Sequence, residues 1–274
     1  MAVENKVPML LLESPTWRVN KDWAARIADE LNQDKKEGEE KVSYSDERLR
    51  ELLHEGVNLI ADVRAKYETE DTKIIIGTPL GPRDDGYFPK KLMNVEEATA
   101  YAATQIGHFK ESQSDIITCY TMNYTAEAVG FALAAKAAEV PCSVCFTIEY
   151  HGKLQDGTTL KEAIDAVEEA TGGYPKYYAL NCVHPNHFDD VLKAAKENNE
   201  DWIKKFKSLI ANGSSMTHEE LEKATALDPG NPEELAKQVY SNHKEYGINI
   251  LGGCCGTNVG HMTEIVKEFC RNNA

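Results

Sequence analysis

No stretch of this 274-residue chain reaches the ~18 consecutive apolar residues that a membrane span needs, so no span is predicted. Residues 1–7 carry mixed charge and lead into only a short apolar run, Pro8 to Leu12, without the basic flank and longer apolar region of a secretory signal. A cytoplasmic location is the resulting expectation. Positive charge is also short: 30 Lys and Arg stand against 45 Asp and Glu, a net charge of −15 that repels phosphate backbones, and no basic stripe interleaved with aromatics offsets it. Nucleic acid is not expected as a partner. The seven cysteines are an odd number and their spacing makes no secreted disulfide framework; in a reducing compartment such thiols serve as packing groups, metal ligands or catalytic groups.

What is present is an alternation of short apolar runs and helical patterns. Met9 to Glu13, Lys73 to Thr78, Asp115 to Tyr120, Pro141 to Ile148, Tyr177 to Cys182, Ser208 to Ala211 and Ile248 to Leu251 read as seven strands. Helical spacing falls between and after them: Asp22 to Leu31, a long helix capped near Ser45, one capped at Asn94, Glu127 to Glu139, Leu160 to Ala170, His187 to Asn198, one opened by Asn231-Pro232, and Val259 to Cys270. Runs apolar on both faces and separated by helices argue a covered parallel sheet. Seven units is one short of a (β/α)8 barrel; a doubly wound open sheet also fits the pattern, although no glycine-rich phosphate loop follows the first strand. In a barrel the loops after the strands share one face, and that face collects Glu13, the Gly81 loop, Glu149, Cys182 and Cys254-Cys255.

Leu251-Gly252-Gly253-Cys254-Cys255-Gly256-Thr257 places two adjacent thiols on a glycine-padded turn, and Cys182 ends an earlier strand. Together the three thiols read as a zinc site with its fourth position open, the arrangement of a catalytic rather than a structural zinc. A soft three-thiolate metal suits a substrate thiol better than water, and alkyl transfer to sulfur is its natural reaction. The plainer use of a Cys-Cys pair is as small buried residues at a tight turn. His184 and His187, spaced C-x-H-x-x-H from Cys182, are alternative ligands, and Cys119, Cys142, Cys145 and Cys270 read as packing residues. Glu149 is a candidate partner for the ammonium of an amino-acid substrate, Glu13 a weaker one, and Asp84-Asp85-Gly86 reads as turn chemistry without the ligand number of a calcium loop.

Asn181-Cys182 followed by Gly252-Gly253-Cys254-Cys255-Gly256-Thr257 resembles the homocysteine S-methyltransferase family, zinc-dependent enzymes that methylate homocysteine to methionine. Glu13-Ser14-Pro15-Thr16-Trp17-Arg18, Gly81-Pro82, Phe146-Thr147-Ile148-Glu149 and Ala170-Thr171-Gly172-Gly173 extend the likeness over nearly the whole chain. The resemblance implies a single TIM-type (β/α)8 barrel over 1–274, Zn2+ on Cys182, Cys254 and Cys255, Glu149 at the homocysteine amino group, and a small methyl donor as second substrate. Family members begin with a strand ending in Asp-Gly-Gly, which nothing before Met9 supplies, so the barrel is expected to lack its first β/α unit. Unpaired edges at that gap invite association, including a homo-oligomer. Thr121 to Glu127 lacks the Glu-Thr pair of sulfonium-using members, which leaves the donor open. Two other readings stand beside this one: a non-catalytic zinc-binding homologue, and a redox protein with a vicinal Cys254-Cys255 disulfide.

Overall fold

The structure is a computed structural model that describes residues 2–36, 38–148 and 152–272. Among these, seven parallel strands form one sheet in strict chain order: β1 Met9–Glu13, β2 Lys73–Leu80, β3 Ile116–Met122, β4 Cys142–Phe146, β5 Tyr178–Val183, β6 Phe206–Ala211 and β7 Ile250–Gly253. Parallel neighbours need crossovers, which are supplied by α1 Lys21–Asn32, α2 Asp46–Tyr67, α3 Val95–Lys110, α4 Thr125–Ala138, α5 Leu160–Thr171, α6 Asp189–Glu197, α7 His218–Lys223 and α8 Pro232–Tyr246; α9 Val259–Asn272 closes the series. The strands curl into a nearly closed α/β barrel of the TIM type. β1 and β7 do not pair with each other, and both are half-buried where β3, β4 and β5 are almost wholly enclosed. No helix among the described residues is long and apolar enough to cross a membrane.

Local chemistry sets the helix starts. Ser45 accepts from the Arg48 amide, Asn94 and Glu97 form a reciprocal capping box, and Asn231 accepts from two first-turn amides ahead of Pro232. The main core lies between helices and sheet; α3 and α4 approach so closely that a Cβ on Gly130 would sit 2.4 Å from the Ala98 Cβ. A second, smaller cluster takes Tyr120, Cys145 and Ala179 from the neighbouring strands β3, β4 and β5, with Trp17, Tyr177 and Ile210 against it. Cys119, Cys142 and Cys145 are buried packing residues, as expected from their places in the strands.

Two expectations are corrected. The seventh strand does not stop at Leu251: Gly252 and Gly253 continue it, in register with Ile210 and Ala211, because β6 offers paired backbone to the end of its run. The short helix α7 was not anticipated, since its six residues are all polar except Leu221 and leave no apolar period to read; only its capping box, Thr217 with Glu220, marks it.

Irregularities at the ends of β3 and β5 shape the functional face. Thr121 (φ 61°) and Cys182 (φ 54°) both adopt the left-handed conformation where the strand registers shift. That conformation is costly for a residue with a Cβ and persists only when its surroundings hold it. Asn181 does the holding: its side-chain oxygen accepts from the Thr121 amide at 2.9 Å and its amide donates to the Thr121 hydroxyl at 2.9 Å, all within buried surroundings. Asn181→Ala is therefore expected to destabilise the protein by about 2–4 kcal/mol, from unpaired buried groups and a cavity; urea denaturation compared with the parent chain measures it.

Candidate metal centre

Each of the three cysteines reaches the site by a separate backbone device. The left-handed bulge turns Cys182 at the end of β5, and the chain leaves β7 through a tight turn in which the Cys254 amide donates to Ala211 O at 2.7 Å. The Thr257 amide and hydroxyl both donate to Cys254 O, and Cys255 O accepts from the Gly213 amide. Of the glycines padding this motif only Gly256, at φ 77°, uses glycine's conformational freedom. Gly253 is needed for space instead: a Cβ there would lie 2.3 Å from Thr257 Oγ1 and 2.6 Å from Met262 Cε.

The three sulfurs lie within 4.8 Å of one another, with Cys182 and Cys255 Sγ 3.5 Å apart. Cys182 and Cys254 are joined as a disulfide, with Cα atoms 5.4 Å apart, so the cross-link runs between strand ends and not between the adjacent Cys254 and Cys255. In the reduced state this donor set fits a thiophilic ion: three thiolates this close can share zinc at its ~2.3 Å sulfur distance. Burial falls from Cys182 through Cys254 to the exposed Cys255, which leaves the set open on its outer side.

Histidine does not join the thiols in any metal-sized group among the described residues. His184 Nδ1 accepts from the Asn186 amide, and burial, with His187 beside it, pushes its pKa down to about 4 against the pull of Asp228. His187 Nε2 donates to Ser215 O at 2.7 Å. These two side chains thus pin the loop after β5. Two residues that gave no signal in the sequence stand at the site instead. The Tyr87 side chain shares a hydrogen bond with Cys255, and its ring lies 4.3 Å, centroid to centroid, from that of His218. His218 Nε2 in turn donates to Cys182 O at 2.8 Å, which places a proton on that nitrogen. Tyr87 owes its position to Asp85, whose Oδ1 accepts from the amides of Tyr87 and Phe88, so the Asp84-Asp85-Gly86 segment is turn chemistry as expected. Burial would raise the Asp84 pKa, but bonds from Arg26 and from the Lys90 and Lys91 amides prevail and hold it at about 2.

Glu149 lies outside the described residues. Glu13 ends β1: the residue is half-buried at the open edge, yet Oε1 is enclosed without a hydrogen-bond partner. That enclosure raises its pKa to about 7 despite a hydrogen bond with Tyr120. Glu127, buried in the first turn of α4, is likewise raised to about 7 by burial, opposed by the Arg83 amide that it accepts from at 2.9 Å and by the Arg83 charge.

A parallel barrel with a thiol cluster at the carboxyl ends of its strands belongs to the class of barrel enzymes whose chemistry sits on the strand-end loops. The chain matches the homocysteine S-methyltransferase family over residues 10–269 and belongs to it. A curated relative, methionine synthase of Mycobacterium leprae, is 24% identical over 236 residues; the alignment covers 83% of this chain and 18% of that much longer protein. Among solved structures, the metallated form of the homocysteine methyltransferase MmuM from Escherichia coli superposes with a TM-score of 0.69 at 14% identity, covering 97% of this chain and 82% of that one. Its oxidized form gives 0.67 at 15% identity, covering 98% and 82%. At these identities the superpositions establish the shared barrel.

The two raised carboxyl pKa values fix a pH dependence. Between the ordinary value of 4.5 and about 7, each group holds its proton in the folded chain and loses it in the unfolded chain, so stability falls as pH rises through that window. The expected loss is at most roughly 3 kcal/mol per group. Glu127→Gln should flatten part of the slope in denaturation midpoints taken from pH 5 to 8.

Proposed function

We propose that this chain transfers a methyl group to the thiol of homocysteine to give methionine, at a zinc ion held by Cys182, Cys254 and Cys255. The observation that carries the reading is the convergence of three cysteine sulfurs from two strand ends on the open face of the barrel. Membership of the family and the barrel shared with a homocysteine methyltransferase support methyl transfer to homocysteine. Zinc bound there lowers the pKa of a substrate thiol and keeps its sulfur nucleophilic at neutral pH.

The protein's own groups have separable tasks. Asn181 keeps Cys182 turned toward the other thiols, Tyr87 holds Cys255 through its hydroxyl, and His218 braces both the Cys182 carbonyl and the Tyr87 ring. Glu149, which follows β4 in the chain, is assigned to the substrate ammonium. The whole of 1–274 is taken as one homocysteine-binding unit working in the cytoplasm, with a small methyl donor approaching the exposed side of Cys255. The unpaired edges of β1 and β7 lie where the eighth strand of a complete barrel would pair with both, which is the support for reading the first β/α unit as missing. The same feature favours a second reading, a non-catalytic homologue that retains zinc.

Reduced protein is expected to bind about one zinc per chain, and Cys182→Ser and Cys255→Ser to lower metal affinity by at least ~100-fold. Elemental analysis after dialysis reads this directly, and normal zinc in both variants would remove the metal site. Methionine formation from homocysteine with several methyl donors then separates the two readings: turnover supports the transferase, and bound zinc without turnover by any donor supports the non-catalytic homologue.

A further inference from the structure

We propose that Arg18 binds the carboxylate of the amino acid whose thiol is delivered to the cysteine cluster, and so sets the preference for an α-amino acid over a simple aminothiol. The inference rests on the homocysteine reading above and assigns the residue that recognises the acid end of that substrate. Arg18 lies on the loop after β1, on the face where the strand ends gather. Its guanidinium carbon is 4.1 Å from the ring centroid of Trp23 and 5.0 Å from that of Trp17. Contact with two aromatic rings limits the side chain's freedom and leaves the N–H donors of its planar fork available to a ligand. The residue is exposed, and no described residue pairs with the guanidinium by a hydrogen bond or an ion pair. Its neighbour Arg26 also packs on Trp23 but is satisfied by Asp84 at 2.5 Å. One arginine of this pair is committed to the fold, and the other is pre-organised without a partner.

Trp17 and the Gly86-Tyr87 segment lie between Arg18 and the sulfurs. The Trp17 ring lies beside the backbone at Gly86, its Cζ2 3.7 Å from where a Cβ would stand, and the next residue, Tyr87, is bonded to Cys255. The Arg18 charge is felt at Tyr87, where it opposes the effect of burial on the hydroxyl. Homocysteine with its sulfur at Cys255 has a carboxylate a few bonds away to present to Arg18. The carboxylate also needs such a cation, because a chain of net charge −15 otherwise repels an anionic group. A bidentate Arg–carboxylate pair supplies both attraction and orientation.

The test is calorimetric titration of reduced, zinc-loaded protein with L-homocysteine and with 3-aminopropane-1-thiol, which has the same thiol and amine but no carboxylate. Parent protein should favour homocysteine by about 10- to 100-fold. Arg18→Met, which keeps apolar packing on the two tryptophans, should reduce that preference to about 2-fold or less with unchanged zinc content and unchanged affinity for the aminothiol; Arg18→Lys should fall between. Retention of the full preference in Arg18→Met overturns the assignment to Arg18 and leaves the homocysteine reading intact. Failure of the parent protein to bind either thiol overturns both.

Discussion

The left-handed backbone at Cys182 is the constraint on which the face of this molecule depends. An unbroken strand alternates its side chains strictly, so Asn181 and Cys182 would point to opposite sides of the sheet and the sulfur would be lost among the covering helices. Inserting one strained residue changes that direction at the strand end. The strain is held by a neighbour that faces the barrel interior and reaches across to the equivalent irregularity of β3. The placement of the Cys182 sulfur and the folding of the sheet end are therefore a single structural commitment, and the cysteine cannot be repositioned without disturbing the asparagine beside it.

Much of the architecture could be read from the chain because parallel strands enclosed on both faces leave apolar runs bounded by Gly, Pro and capping residues. The cluster of Cys182, Cys254 and Cys255 was legible for a related reason: in a parallel barrel all strand ends share a face, so order along the chain becomes proximity in space. Tyr87 and His218 were not legible. Their roles depend on how the loop after β2 and the short helix α7 fold over the sulfurs, and neither segment has a period that marks its position. The glycines ahead of the thiols in the cysteine motif, Gly252 and Gly253, are strand residues, and Gly253 serves to leave room for Thr257 and Met262. Sequence shows that a small residue is present and not whether torsion or volume demands it.

The acids of this chain divide by depth. Most are solvated and account for the net negative charge, but the Glu13 and Glu127 carboxyls are enclosed close to the functional face. Glu127 braces the loop that carries Tyr87, accepting the Arg83 amide just before the Asp84-Asp85 turn. Glu13, at the end of the edge strand β1, places its carboxyl beside Tyr120. Both stand near neutrality in their preference for the proton, an unusual condition for two carboxylic acids in one fold.

The open seam between β1 and β7 imposes a rule on anything that closes it. Both bordering strands run in the same direction. A β-hairpin entering the seam presents two strands of opposite sense, so it can extend the parallel ladder on one border only and must meet the other in antiparallel fashion. A single extended segment aligned with its neighbours satisfies both ladders at once, and its chain must then return outside the barrel before pairing again. The seam thus discriminates by polarity of the polypeptide, independently of side-chain identity.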